Sequence, residues 1–328
     1  MTLDSIKSLT PGLLIVSVIV LAAQFVSDHY GAPAMLLALL FGIALQFVSE
    51  QDRPKAGIAF ASRTILRFGV ALLGLRISAD LALSLGLDVL IMIVGVVVAT
   101  ILFGLLCARF FGFRQKFAFL SAGSVAICGA SAAMAISAIL PKDERTDERL
   151  VFTVVGVTIL STIAMILYSV LAAKLGFSDF ETGIFLGATI HDVAQVVGAG
   201  FSVGQETGEV AAIVKLVRVA MLAPVIIIAT FVLRQASQNK AESVERQPLV
   251  PVFVIGFFGL LLVNSMGWIP AAISDLAGNI SRWALLAAIA AVGLKTSLKD
   301  VLNVGGAAIG LLVAETIFIA MLVLIFLF

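Results

Sequence analysis

Two stretches of 25 residues, Leu87–Phe111 and Val304–Phe328, are apolar almost throughout. As helices rising ~1.5 Å per residue, either is longer than a ~30 Å hydrocarbon core is thick. Such runs are too long and too uniformly apolar for the alternating strands of a β-barrel. A water-soluble fold of this length would show amphipathic helices or alternating strands instead. The whole chain of 328 residues follows the same pattern, 61% hydrophobic and 12% charged, so the lipid bilayer is its expected solvent. A net charge of +1 gives no reason to expect nucleic acid as a partner.

Eleven apolar segments are legible, at about 12–26, 33–48, 56–75, 87–111, 117–140, 150–171, 180–200, 209–233, 250–268, 280–298 and 304–328. The first lacks a small-x-small cleavage site and reads as a retained span. If all eleven cross, thirteen Lys and Arg side chains collect on the N-terminal side and five (Arg76, Lys142, Arg145, Arg149, Arg282) on the other. The positive-inside rule then puts the N-terminus in the cytoplasm. The expected fold is all-α and polytopic. One extra helix precedes two inverted five-helix repeats, 33–171 and 180–328, with crossing discontinuous helices and a cytoplasmic linker at 234–249.

In that plan the fourth helix of each repeat, the fifth and tenth segments, is interrupted. The fifth, Ser121–Leu140, is crowded with Ser, Gly and Ala where a lipid-facing helix would carry Leu and Phe. Gly123 and Gly129 let the backbone open there, with Ser131 expected to cap the restarted helix. The tenth contains a polar break at Ala291–Asp300. Gly74-Leu-Arg-Ile-Ser78 echoes Gly293-Leu-Lys-Thr-Ser297, at places the five-plus-five scheme does not make equivalent. The free N–H groups of broken helices attract anions. Ser124, Cys128, Gly129, Ser131, Lys295, Thr296 and Ser297 are therefore the expected substrate-binding residues.

Ionisable groups at bilayer depth cost ~2.5–3.5 kcal/mol each, so each needs a reason. His191, Asp192 and Gln195 lie amid Gly187, Gly198 and Gly200 in the seventh segment and are the expected proton or ion-coupling group. Arg67, Lys215, Arg218 and Glu315 are expected charge partners, Lys215 and Arg218 pairing with Asp192 and Glu315 or adding to the anion site. Cys107 and Cys128 form neither a disulfide framework nor a metal site, and no cofactor is called for. Catalytic motifs are missing: no His-Glu-x-x-His, no Gly-x-Ser-x-Gly and no phosphate loop. A Ser131–His191–Asp192 hydrolase is disfavoured, because adjacent His and Asp on a helix diverge by about 100°.

Ile127-Cys-Gly-Ala-Ser131 and Thr189-Ile-His-Asp-Val-Ala-Gln-Val-Val197 resemble the signatures of the YeiH-type sulfate exporter family. Leu66–Ser78, Ile213–Val219, Asn264-Ser265 and Ala291–Thr296 extend the resemblance over most of the chain. It implies a bacterial inner-membrane carrier related to the bile acid and bicarbonate symporter fold, moving sulfate or a related oxyanion or sulfonate. A proton or sodium ion is the coupling partner and a homodimer the default assembly. Two other readings are a cation/proton antiporter using Asp192 and a non-transporting membrane module.

Overall fold

The computed structural model describes residues 3–77, 79–141, 143, 145–236, 251–296 and 306–328. Among these the chain is helical without strands. Its helices are α1 (Leu3–Tyr30), α2 (Ala34–Ala44), α3 (Asp52–Phe60), α4 (Leu66–Leu73), α5 (Ala79–Ser84), α6 (Gly86–Cys107), α7 (Gln115–Ala126) and α8 (Ala130–Ile139). They continue with α9 (Thr146–Leu175), α10 (Asp179–Thr189), α11 (Val193–Val203), α12 (Gln205–Ala220), α13 (Leu222–Ala236), α14 (Val252–Ser265), α15 (Ala271–Lys295) and α16 (Gly306–Leu327). A π-helical turn at Ala61–Ile65 joins α3 to α4. Seven of the described helical stretches are long and apolar enough to cross a membrane. The expected linker lies largely outside the described residues, as do Ser297 and Asp300.

The helices sort into two groups. In one, α15 lies between α2 and α4, with α1, α3 and α14 around them. Close approach is built into the α2–α15 crossing: a methyl group on Gly293 would come within 2.9 Å of the Cα of Gly42. In the other group, α6, α7, α9, α10 and α16 pack together, and α12 lies along both α10 and α11. The groups meet chiefly where α11 rests on α2 and α15.

The fifth and seventh segments do not pass through the helix layer; each folds back on itself. Lys116 at the start of α7 donates to the carbonyl of Pro141 just past α8, at 3.1 Å, and approaches Asp143 at 3.7 Å. Halfway along, the Ile136 side chain fills the space a side chain on Gly123 would need. In the second hairpin the Thr207 hydroxyl, one turn past α11, donates to the carbonyl of Asp179 at the start of α10 (3.1 Å). Each arm has 10 to 12 residues, so at ~1.5 Å per residue it reaches about half-way through a hydrocarbon core.

The hairpins enter from opposite ends. Phe111, just before α7, covers Gly310 near the start of α16. At the far end Phe177, just before α10, stacks near Phe328, with ring centroids 5.5 Å apart. Arg76 and Glu209 also meet at that far end (3.6 Å). Two of the eleven expected crossings, the fifth and the seventh, are therefore hairpins, and the side assignments change with them. Pro141, Asp143 and the start of α9 return to the N-terminal end, and the turn after α9 moves to the other. In the tenth segment α15 ends at Lys295 and Thr296 is extended, within the expected break, whose remainder at 297–300 lies outside the described residues; a further interruption, not expected, lies in the seventh segment.

Candidate functional site

The two hairpin tips meet in the interior. The first tip opens because Gly129 takes φ = +62°, which an L side chain rarely adopts, and its N–H reaches back to the carbonyl of Ser124 (2.8 Å). The second opens at Ile190, His191 and Asp192, between α10 and α11. A side chain on Gly129 would lie 3.7 Å from the carbonyl oxygen of His191, so the turns nearly touch.

Where α7 and α10 end, their last carbonyls lack helical partners and carry the negative pole. Lys215 and Arg218, one turn apart on α12 and 0% exposed, supply the missing donors. The Lys215 ammonium donates to the carbonyls of Ile127 (2.8 Å) and Ile190 (2.9 Å). Arg218 donates to Val125 (3.0 Å), Ala126 (2.9 Å), Gly187 (3.0 Å) and Ile190 (3.1 Å). These cations are thus neither ion-paired with Asp192 and Glu315 nor open to substrate, contrary to both expectations. Hydrogen bonds to charged groups contribute ~1.5–3 kcal/mol each, which offsets part of the desolvation of two buried cations.

The positive poles, at the starts of α8 and α11, are treated differently. Asp192 caps α11, its carboxylate accepting from the N–H of Ala194 at 2.8 Å. Gly129 brings no side chain to cap α8, and the Cys128 thiol lies near the N–H of Ala132 in its first turn. Ser131 does not fill that role; its side chain is exposed one residue into the helix. Ser124 is also spent elsewhere, donating to Leu120 within its own helix. Cys128 is buried at the tip, in the electrostatic field of Lys215, Asp192 and Arg218. Asp192, half-buried, lies within electrostatic reach of Lys295 at the end of α15, which in turn feels Arg63. Thr296 is buried and bonded to Val292. Arg67 lies on an exposed face of α4, with no ion pair among the described residues.

His191, Asp192 and Gln195 do not share a helix face, because the first two lie in the break. Gln195 is turned toward α9, donating to Thr162 (3.3 Å) and accepting from Ser161 (3.4 Å). The Ser161 hydroxyl also accepts the N–H of Asp192 (2.9 Å). His191 Nε2 lies 2.9 Å from Thr316 Oγ1 on α16. That hydroxyl also lies 2.7 Å from the carbonyl of Leu312, and the backbone of Val125 lies near the ring. Nδ1 has no hydrogen-bond partner among the described residues.

Sequence reasoning missed Ser121, Ser161 and Thr316, the hydroxyls that orient these groups. Their signal was weak, since hydroxyls in apolar helices usually bond to their own backbone. A cavity of about 1640 Å³ opens elsewhere, at the N-terminal end, lined in part by Arg109, Arg114, Lys116, Arg145 and Arg149. Its charges are partly answered by Asp143 and Glu148, and it lies apart from the tips. The described residues include no cluster of His, Cys, Asp and Glu that would hold a metal.

The chain is similar over 314 residues to a UPF0324 membrane protein of Rhizobium meliloti, RB0971, at 56% identity, covering 96% of this chain and 91% of the relative. It is 56% identical to the UPF0324 membrane protein TauZ of Paracoccus pantotrophus, covering 97% and 94%. A Chlorobaculum tepidum relative, CT0845, is 48% identical over 96% of this chain and 88% of its own length. No solved structure matches. Residues 11–312 match the model of the family described as conserved hypothetical protein 698, in agreement with the resemblance of the sequence motifs, and the chain belongs to that family of UPF0324 membrane proteins.

Proposed function

We propose that this multi-pass membrane protein is a secondary transporter of a small oxyanion, sulfate or a sulfonate, working by alternating access. The observation that carries the reading is the convergence of two hairpins from opposite ends on Lys215 and Arg218. That arrangement answers the negative poles internally and leaves the start of α8, which Gly129 does not cap, as a mid-depth positive pole. Lys295, within electrostatic reach of Asp192 at the second tip, would supply a cation, and Asp192 would compete for it when the substrate is absent. The group of α1–α4, α14 and α15 would rock or slide against the hairpin group, exposing the tips first to one face and then to the other.

Nine crossings and two re-entrant hairpins follow from this topology. Among the described residues Lys7, Arg53, Lys55, Arg63, Arg109, Arg114, Lys116, Arg145, Arg149 and Lys295 then lie toward the N-terminal side, against Arg76, Lys174 and Arg282. The bias favours a cytoplasmic N-terminus in the inner membrane more strongly than eleven crossings did. The repeats would pair α2, α4, α6, α7–α8 and α9 with α14, α15, α16, α10–α11 and α12. In this pairing the Gly74 and Gly293 motifs become equivalent, each closing the second helix of its unit.

Proteoliposomes holding the full chain would be loaded with radiolabelled sulfate or methanesulfonate. Exchange that saturates with external anion, and thermal stabilisation by the same anion, are the expected results. Charge movement into the vesicle with neither anion present would support the antiporter reading, in which the Asp192–Lys295 pair binds and expels a cation.

A further inference from the structure

We propose that Glu315, and not the tip residues alone, binds the coupling proton; this rests on the transporter reading above. Glu315 lies in the middle of α16 and is fully buried. Its Oε1 accepts from the Ser121 hydroxyl of α7 at 2.8 Å, and its Oε2 has no partner among the described residues. Gly104 of α6 leaves the room its carboxyl occupies.

Among the described residues no cation pairs with this acid. The elements packed on α16 are α6, α7, α9 and α10, with the turn that follows α10. The charged groups of α7 and α9 lie toward the helix ends (Lys116, Glu148, Arg149, Lys174), as do those of α6 (Asp88) and α10 (Asp179, Glu181), and the Tyr168 hydroxyl of α9 is turned to the carbonyl of Thr316. His191, from the turn after α10, faces the adjacent Thr316. Among the described residues the Ser121 hydroxyl is the one hydrogen-bond partner of the Glu315 carboxyl. An unpaired carboxylate in such a place costs several kcal/mol, so the acid is held as its neutral O–H form until water or a cation reaches it.

Sodium fits poorly. A hard cation takes about six oxygens, whereas Glu315 has one hydroxyl beside it, and the methyl of Ala122 also crowds Gly104. The carbonyls that could hold sodium at helix breaks are already taken by Lys215 and Arg218. A proton needs only the free Oε2: water on one side delivers it, the O–H bond forms there, and water on the other side removes it.

The position also explains how occupancy is sensed. Glu315 holds the first hairpin through Ser121, while Thr316, the next residue, holds the tip of the second through His191. A charge appearing on Glu315 therefore perturbs the helix that links the two hairpins.

The test is infrared difference spectroscopy of the full chain in liposomes, titrated with pH. The expected result is a carbonyl band of a buried protonated acid that titrates in wild type. It is lost in Glu315→Gln, retained in Glu209→Gln and moved to a different midpoint in Ser121→Ala. A band that persists in Glu315→Gln, or ignores Ser121→Ala, overturns the assignment. In proteoliposomes an acid gradient should drive sulfate accumulation in wild type and not in Glu315→Gln; equal accumulation also overturns it. If wild type moves neither sulfate nor methanesulfonate, the anion reading falls, and the infrared result still decides the proton site.

Discussion

Ile127 and Ile190, at the tips of two hairpins that enter from opposite ends, share a single ammonium: Lys215 donates to their carbonyls at 2.8 and 2.9 Å. Arg218 repeats the bridge one turn further along α12. Removing either donor leaves buried carbonyls unpaired, at ~1–3 kcal/mol each. Arg218→Met should therefore lose more than about 3 kcal/mol of stability. Lys215→Met should lose less, because fewer carbonyls depend on it. Thermal unfolding in detergent measures both, and a wild-type midpoint in Arg218→Met would show that the tips are held some other way.

The hairpins make a prediction about sidedness. In a background carrying Cys107→Ala and Cys128→Ala, Arg114→Cys and Arg145→Cys should react with a membrane-impermeant maleimide from the same face. Ser178→Cys and Gln205→Cys should react together from the other. An eleven-crossing chain would put positions 114 and 145 on opposite faces, so the assay separates the two topologies directly.

At the tips, charge and position should separate in kinetics. Asp192→Asn and His191→Ala are expected to abolish anion flux while leaving the protein folded, since each removes a group set into the break between α10 and α11. Lys295→Gln should chiefly raise the anion concentration needed for half-maximal flux, as loss of a binding contact does. Wild-type flux in both tip variants would remove His191 and Asp192 from the mechanism.

Outside the membrane, Asp143 closes the base of the first hairpin. The Arg149 guanidinium, bonded to it at 2.8 Å, holds its carboxyl below the usual carboxylate range, helped by the N–H of Arg145 and by Lys116. A folded-state value below the unfolded one means that the contribution is present at neutral pH. It is lost as pH falls through the lowered value. Asp143→Asn should make proteolysis of the 140–146 loop faster at neutral pH and indifferent to acidification, whereas wild type should converge on the mutant rate only in acid.

The sequence by itself determined the solvent and the first place of interruption. Apolar runs of 25 residues admit only a bilayer, and Gly129 beside small residues marks backbone that will not continue as helix, whereas the break at His191-Asp192 lies in a segment that reads as one helix. Tertiary structure alone decided whether a broken segment crosses or returns. Each half of the fifth and seventh segments is equally apolar whichever way the second half turns. The direction is set by contacts such as Lys116 with Pro141 and Thr207 with Asp179, which periodicity does not encode. It also decided what the buried cations do. Lys215 and Arg218 looked like partners for Asp192 and Glu315 because carboxylates are visible in a sequence, whereas a helix's last carbonyls become acceptors only once the fold exposes them to a donor.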